Sequence, residues 1–432
     1  MNGRLHDLAL TRLLTQAYHP APVWDEVKYD IGCLPTGRPL KEVEVLAAEA
    51  VANRCPVVLR DSGAFERDPA RAQAIGRNLK EMGRLLAARF AATPMKHCAL
   101  IHSATSERLD PAGAHLRAVR GLHSFLIQHQ IPCSIVTEET PLEDYAVAIV
   151  AETPRLAPAA VESLQRFVSA GSGLLGIGRL DVIALKTLFG LGGSVAQPLK
   201  PPQARAASPD NIPITQPLPG RFNFGRLGAG HRVVAGIENR EVYFAGGYVW
   251  IEPPSDGQIL ADVLALSKSR MASRVYADNN LYPGDPVAPL LVVRGRTAYV
   301  SAMIAEESAR ARCEHLDVLL RQMLEWISPR PVPVRLENAC PGVRVCLDRL
   351  PDDAGILLYF VNQSTSGFSS TALTWVCPLR GAIIHLKWPW SERPEIETLS
   401  GGPFKLLGLG SGEAMIEMKE LNVHAACRIA RK

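Results

Sequence analysis

Over the first 190 residues the apolar positions alternate between helical spacing and short apolar runs typical of buried strands. Residues 8–17 show the helical spacing, with Leu10, Leu13, Leu14 and Ala17 on one face. The predicted helices are 8–17, 40–53, 70–90, 113–130 and 158–170, and the predicted strands are 21–26, 55–63, 96–103, 132–139, 146–152 and 173–178. This pattern predicts a β/α architecture, with a parallel sheet covered by helices after residue 95.

The stretch AGSGLLGIG, residues 170–178, has the G-x-G-x-x-G spacing of a dinucleotide-binding loop. Such a loop requires the order strand, glycines, helix, so that the helix N-terminus meets the pyrophosphate. Here the helical pattern precedes the glycines and the apolar run follows them. We therefore interpret Gly171 as the left-handed residue that ends a helix, and place Gly173 and Gly176 in a strand.

The pattern changes twice beyond residue 190. Residues 196–222 are rich in proline and predict a loop, whereas residues 223–310 predict strands, including two joined by a tight turn at 294–296. Residues 313–328 show the spacing of an amphipathic helix. After residue 329, short apolar runs separated by turn residues predict an antiparallel β-sandwich.

Composition and charge exclude several classes of function. A chain of 432 residues predicts about two to four domains, and its net charge of +4 is too small to indicate nucleic acid or a membrane surface as partner. No apolar stretch reaches the ~18 residues that span a bilayer, and the first residues lack a signal-peptide pattern. We expect a cytoplasmic protein.

The cysteines and histidines do not indicate a metal site. None of the nine cysteines forms C-x-x-C, and the eleven histidines show no zinc-ligand spacing. Buried free thiols in a reducing compartment are the favoured interpretation, and no metal or other cofactor is predicted.

The order of these segments resembles the C-terminal portion of family 42 β-galactosidases and related glycoside hydrolases. The resemblance covers residues 95–365, with serine at position 172 where the family usually has a second glycine. The stretches that carry it are HCALIHS, LIQHQIPCSIVTEE, YAVAIVAETPRLAPAAVESLQRFVSAGSGLLGIGRLD, LKTLFGL, APLLVVRGRTAYVSAMI with the following helix that ends in LEWI, and GILLYFVNQS.

The resemblance implies a fold class of α/β and β, in three domains. Residues 1–94 would be the C-terminal part of a (β/α)₈ barrel, that is, a partial barrel segment. Residues 95–329 would be a flavodoxin-like parallel α/β domain of class I glutamine-amidotransferase type, which serves for trimerisation in the resembling enzymes. Residues 330–432 would be the antiparallel β-sandwich.

The resemblance also implies a site in the barrel segment. In the resembling enzymes a nucleophilic glutamate ends a late barrel strand, and Glu26, at the end of the predicted strand 21–26, is the candidate for that position. The same comparison places Trp24, Arg60, Asp61 and Glu66 near the sugar. The general acid would come from an earlier barrel strand that is not among these residues.

Three functions follow as alternatives. The first is a retaining glycosidase that acts on a carbohydrate, or the C-terminal part of one, without an organic cofactor. The second is a non-catalytic module for oligomerisation or carbohydrate binding. The third, an amidotransferase-like enzyme, is disfavoured because the turn after the third strand, AETPRLAP, contains no cysteine nucleophile. We expect a homo-oligomer, a trimer by the same resemblance, with neither nucleic acid nor membrane as partner.

Overall fold

The computed structural model describes residues 5–18, 25–28, 39–60, 64–110, 113–191, 223–244, 247–249, 251–252, 255–268, 281–305, 314–340, 342–364 and 376–431. The chain forms two compact units. The first consists of Met1–His97, Leu126–Ile135 and Val332–Lys432, and the second of Cys98–Phe125 and Val136–Pro331.

Nine helices and twenty strands are defined within the described residues. The helices are α1 (Leu5–Tyr18), α2 (Leu40–Ala52), α3 (Ala64–Arg67), α4 (Pro69–Phe90), α5 (Ala104–Leu109), α6 (Ala114–Gln128), α7 (Pro158–Ser169), α8 (Val182–Phe189) and α9 (Glu314–Ile327). The first ten strands are β1 (Asp25–Lys28), β2 (Val57–Arg60), β3 (Thr93–Pro94), β4 (Cys98–His102), β5 (Cys133–Thr137), β6 (Val147–Thr153), β7 (Gly173–Leu180), β8 (Asn223–Leu227), β9 (Glu241–Phe244) and β10 (Gln258–Lys268). The others are β11 (Leu281–Arg294), β12 (Thr297–Val300), β13 (Val334–Glu337), β14 (Val343–Arg349), β15 (Gly355–Asn362), β16 (Leu379–Lys387), β17 (Pro394–Ser400), β18 (Phe404–Gly410), β19 (Glu413–Leu421) and β20 (His424–Arg431).

The first unit contains two antiparallel sheets. One has the strand order β13-β16-β19-β18 and the other β17-β20-β15-β14-β3. Inward side chains from both sheets, including Phe360 and Trp388, form one buried apolar cluster. This arrangement agrees with the antiparallel strands predicted after residue 329 and follows from the alternation of apolar and polar positions along each strand. A separate two-stranded parallel sheet is formed by β1 and β2.

Helices α2 and α4 cover the second face of the five-stranded sheet. The cluster between them includes Val45, Val51 and Met82 from the helices, and Tyr359 and Val361 from the sheet. The Tyr359 hydroxyl group donates to the Ala48 carbonyl oxygen at 3.0 Å. The residues predicted as two separate domains, at the two ends of the chain, therefore contribute to one compact unit.

A buried ion pair ties these helices to the sheet. Asp348 of β14 is completely buried, and Arg89 of α4 binds both of its carboxylate oxygens, at 2.6 and 3.2 Å. The same guanidinium group donates to the carbonyl oxygens of Val51 and Ala52, both at 2.7 Å. These carbonyl groups lie in the last turn of α2, where the helix itself supplies few donors, and Val51 also accepts the Arg54 amide at 3.0 Å. Arg89 of α4 thus binds both β14 and the end of α2.

A second buried group of polar side chains lies beside it. Arg344 of β14 donates to the Glu49 carboxylate at 2.8 Å and to the Asn53 side-chain oxygen at 2.7 Å. The Gln363 side chain also donates to Glu49. Glu49 lies on the buried face of α2, so its charge is compensated within the core and adds a second link between this helix and β14.

The second unit is built on one nine-stranded mixed sheet with the order β5-β4-β6-β7-β12-β11-β10-β8-β9. Strands β4, β6, β7 and β12 are parallel, which the sequence predicted for β4, β6 and β7 but not for β12. The neighbours from β12 to β9 are antiparallel. The direction of strand succession reverses between β4 and β6. In open α/β sheets, such a reversal opens a crevice at the carboxyl ends of the strands.

The interpretation of the glycine-rich stretch is confirmed. Gly171 follows α7 with a φ of 91°, and its amide donates to the Val168 carbonyl oxygen. Gly173 begins β7 and Gly176 lies inside it. The helix therefore precedes these glycines and the strand follows them, which is the reverse of the order that a pyrophosphate-binding loop requires.

Other boundaries differ from the sequence analysis. Strand β11 begins at Leu281, seven residues before the predicted run, and pairs with β10, which was not predicted. Pro283, Asp285 and Pro286 interrupt the apolar pattern in 281–288, so the pattern does not indicate this part of the strand. The predicted loop 196–222 lies outside the described residues.

We expect Arg89→Met to lower the free energy of unfolding by about 3–5 kcal/mol, because it leaves the buried Asp348 carboxylate with an incomplete set of donors. Arg89→Lys keeps the charge but loses the bidentate geometry, so we expect an intermediate loss. Urea unfolding followed by circular dichroism measures both.

The matched control is Arg428→Gln, which breaks an ion pair at 3.0 Å with Glu397 between exposed side chains. Such pairs contribute about 0–1 kcal/mol. Equal losses from Arg89→Met and Arg428→Gln would contradict the role assigned to the buried pair.

Candidate functional site

Glu26 lies in β1, but not at its end. The described strand continues through Val27 to Lys28, and parallel pairing with β2 sets Glu26 opposite Val58 and Lys28 opposite Arg60. The predicted strand end at Glu26 is therefore wrong by two residues. The physical reason is that pairing with β2 extends the strand past the acidic pair.

The other residues proposed for the barrel segment are only partly placed. Arg60 is the last residue of β2 and is exposed, two positions beyond the partner of Glu26. Glu66 is exposed on the short helix α3. Trp24 and Asp61 lie outside the described residues. Glu26 and Arg60 are thus on neighbouring parallel strands.

A cluster of buried polar groups, not singled out by the sequence analysis, lies at the carboxyl ends of β4, β6 and β7. We call this region the carboxyl edge. Its residues are His102 at the end of β4 and Ser103 after it, Glu152 and Thr153 at the end of β6, and Gly178 and Arg179 in β7. Asp110 and His115, which flank the start of α6, complete it.

Glu152 has a strained backbone at this edge. Its φ is 48°, a left-handed conformation that costs a residue other than glycine about 1–2 kcal/mol. The pairing of β6 with β7 shifts register between Ala151 and Thr153, which places an irregularity at Glu152. A Cβ atom on Gly178 would lie 1.7 Å from the Glu152 Oε1 atom. Glycine at position 178 therefore makes room for the carboxyl group.

The Glu152 carboxyl group is 2% exposed. The Arg179 Nε atom donates to it at 3.0 Å and the Arg179 amide at 3.3 Å. Arg179 also lies 3.6 Å from the Asp110 carboxylate. Burial raises the pKa of Glu152 to about 7, against the opposing effect of Arg179 and with a smaller contribution from Asp110. One guanidinium group thus faces two carboxyl groups.

The hydrogen bonds of His115 fix its proton. The Ser103 amide donates to the His115 Nε2 atom at 2.9 Å, so the proton is on Nδ1, which lies 3.0 Å from the Ala151 carbonyl oxygen. Burial lowers the pKa of His115. Burial, and next the neighbouring His115, lower the pKa of His102 to about 4. Both rings are therefore uncharged at neutral pH.

A serine, a histidine and a carboxylate also meet in the first unit, but they do not form a nucleophilic site. Ser400 Oγ bonds both the Glu81 carboxylate and His424 Nε2, the latter at 2.9 Å. A carboxylate only accepts, so Ser400 donates to Glu81 and accepts from His424. His424 therefore cannot remove the serine proton. Its Nδ1 atom has no hydrogen-bond partner among the described residues, so no carboxylate orients the ring through that nitrogen, as a catalytic triad requires.

The two tryptophans of the LKWPW stretch do not form an open surface for stacking on sugars. Trp388 is 1% exposed, and its indole donates to the Glu392 carbonyl oxygen at 2.8 Å. Trp390 meets it edge-on, with ring centroids 4.5 Å apart. Trp388 belongs to the core of the two antiparallel sheets.

The described part of the chain shows neither a metal-binding cluster nor a membrane-spanning helix. No group of three or more histidine, cysteine, aspartate or glutamate side chains there is arranged to hold a metal ion. None of its helices combines the length and the apolar character needed to cross a membrane.

No protein-family profile matches the chain, and no curated protein matches it in sequence. Solved structures do match. Alpha-L-fucosidase isoenzyme 2 from Paenibacillus thiaminolyticus has a TM-score of 0.76 at 15% identity, over 98% of this chain and 63% of its own. A β-galactosidase from Bacillus circulans sp. alkalophilus has 0.65 at 13%, over 100% and 59%. The family 42 β-galactosidase Gan42B from G. stearothermophilus, as a catalytic mutant, has 0.60 at 12%, over 99% and 57%.

These similarities show the fold. The mixed α/β and sheet-rich architecture of this chain is one that glycoside hydrolases contain, and the agreement extends along the whole chain. The chain spans about three fifths of the length of these enzymes.

The carboxyl edge had a weak signal in the sequence. Glu152 stands at the end of VAIVAET, in which every residue is buried, and a carboxylate in such a run is uncommon. Its partners Arg179 and Asp110 are 27 and 42 residues away, at no recognisable spacing. Only the strand order brings them together.

We expect Gly178→Ala to destabilise the protein more than Gly171→Ala. Both glycines have positive φ, 69° and 91°, so both variants incur a backbone cost of about 1–2 kcal/mol. Only position 178 adds overlap with the Glu152 carboxyl group, whereas nothing lies within 4 Å of a Cβ atom at 171. Overpacking of this kind costs about a further 1–3 kcal/mol.

Urea unfolding of the two variants measures the difference directly. Equal destabilisation would mean that the Glu152 side chain yields freely, and would contradict a tightly held carboxyl group.

Proposed function

We propose that this protein is a glycoside hydrolase of β-galactosidase-like type, or the C-terminal part of one. The observation that carries the proposal is the structural similarity to glycosidases over 98–100% of the chain. The similar enzymes include a fucosidase and several β-galactosidases, so a carbohydrate substrate is proposed rather than a particular sugar.

The individual parts of the fold are proposed to correspond to domains of the resembling enzymes. The parallel pair β1 and β2 would belong to a (β/α)₈ barrel. The strand order β5-β4-β6-β7 is the 2-1-3-4 order of flavodoxin-like sheets, which supports an amidotransferase-like α/β domain. By the same correspondence this domain would form a homo-oligomer, a trimer in the resembling enzymes. The two antiparallel sheets would be the C-terminal sandwich.

Glu26 is the proposed nucleophile. In a retaining mechanism its carboxylate attacks the anomeric carbon, the leaving oxygen takes a proton from a second carboxyl group, and water then cleaves the glycosyl ester. The two carboxyl groups must lie about 5–5.5 Å apart. The position of Glu26 in β1, which pairs in parallel with β2, the strand that ends in Arg60, supports the role of nucleophile. Trp24, Arg60, Asp61 and Glu66 are proposed to contact the sugar. The general acid is assigned to none of the described residues.

The amidotransferase alternative gains no support. Cys98 and Cys133 are the first residues of β4 and β5, at the amino ends of these strands. A nucleophile in such a sheet acts from the carboxyl edge, where β6 carries Glu152 instead. The non-catalytic module is the remaining alternative and is separated by the assay below.

The first measurement is hydrolysis of nitrophenyl glycosides, including α-L-fucoside and β-D-galactoside, by the purified protein. We expect Glu26→Gln to reduce kcat/KM more than about 1,000-fold, as loss of a covalent nucleophile does. Glu26→Ala with added azide should recover turnover and form a glycosyl azide, because the small anion occupies the place of the carboxylate.

The control is Glu395→Gln, an exposed glutamate on β17, which should leave the rate unchanged. Full activity in Glu26→Gln would exclude Glu26 as the nucleophile. If the protein is folded but hydrolyses none of the glycosides, the hydrolase proposal is rejected in favour of the non-catalytic module.

A further inference from the structure

The carboxyl edge is independent of the proposed glycosidase chemistry. It contains a strained, buried carboxyl group, Glu152, whose only guanidinium partner among the described residues, Arg179, also faces Asp110. Buried charges in proteins are ordinarily paired one to one, because each unpaired charge loses its solvation. In the contacts that the described residues show here, one guanidinium group faces two carboxyl groups.

The other described groups around the carboxyl edge do not supply a second positive charge. His102 from β4 and His115 from α6 are both uncharged at neutral pH for the reasons given above. The Tyr299 hydroxyl group of β12 donates to the Gly178 carbonyl oxygen at 2.6 Å. Glu107 of α5, which lies 3.2 Å from His102, adds a further negative charge. A proton on one carboxyl group is the simplest way to restore the balance.

We propose that Glu152 is a proton switch: uptake of a proton by its carboxyl group releases Arg179 from their ion pair at the carboxyl edge. Glu152 is the site of uptake rather than Asp110, because the Asp110 carboxylate accepts the His115 amide at 3.1 Å at the start of α6. That bond and the positive end of the helix both compensate a carboxylate charge at this position.

Release of Arg179 changes the surface of the second unit. The Arg179 side chain is 37% exposed, so it is already in contact with solvent. When Glu152 is ionised, its charge and the hydrogen bond from the Arg179 Nε atom hold the guanidinium group against the sheet. When Glu152 is protonated, the ion pair with Asp110, at 3.6 Å, is the one that remains among the described residues. Above the pH at which Glu152 is protonated, Arg179 is held against the sheet. Below that pH, its guanidinium group is freer to move.

The sign of the stability change follows from proton linkage. The folded protein holds a proton with a pKa of about 7, and the unfolded chain releases it with the ordinary value of 4.5. Between these values the folded state binds more protons, so stability falls as the pH rises through this window and is constant beyond it. The folding equilibrium constant should change by up to about 300-fold, the ratio of the two acid dissociation constants.

The test is a pH titration of the full chain by infrared difference spectroscopy, which detects the C=O band of a protonated carboxyl group. We expect a band that disappears with a midpoint near pH 7 and is absent in Glu152→Gln. In Asp110→Asn the midpoint should fall, because the neighbouring negative charge is removed while the amide oxygen still caps α6. In Arg179→Gln the midpoint should rise.

Glu162→Gln, an exposed residue on α7, is the matched control and should leave the midpoint unchanged. The Asn and Gln variants at 110 and 179 retain Glu152, so the proposal can be tested even if Glu152→Gln fails to fold. It is overturned if no carboxyl group titrates above about pH 5.5 in the wild type, or if the midpoint is the same in all four proteins that contain Glu152.

Discussion

The first unit depends on the neutralisation of one buried carboxylate. Asp348 is completely buried in β14, and Arg89 and Arg54 both bind it, the latter at 2.8 Å. Arg89 reaches it from α4 across 259 residues of sequence and also satisfies the carbonyl groups that end α2. A carboxylate in this position is tolerated only when these elements are correctly placed. The ion pair therefore selects one arrangement of helices and sheet, whereas apolar packing alone would accept several.

The second unit treats a buried carboxylate differently. Asp348 has two guanidinium partners, whereas Glu152 and Asp110 share one. The first arrangement compensates the charge fully and is suited to holding a structure. The second leaves a deficit that protonation can fill, at a backbone position that is itself strained. Strain and incomplete compensation at the carboxyl ends of parallel strands are features of positions that change state rather than of inert packing.

The sequence predicted the elements that depend on local periodicity. It did not predict the strand ends and ion pairs that depend on residues distant in the chain. The apolar spacing of α7, the left-handed Gly171 and the apolar run of β7 are confirmed because each depends on a few neighbouring residues. Strand β1 extends past Glu26 because of its pairing with β2, and β11 extends through prolines because β10 lies beside it. The contacts of Arg89 with Asp348, and of Glu152 with Arg179, have no spacing that a single sequence could reveal.

Fold and chemistry lead to separate conclusions in this protein. At 12–15% identity, enzymes that act on fucosides and on galactosides share its architecture, so the architecture alone does not choose a sugar. The residues proposed to contact the sugar, on and near β1 and β2, belong to the first unit. The proton switch belongs to the second unit and needs no substrate. Glu26 and Glu152 thus carry two separate hypotheses, each tested by its own variants and its own measurement.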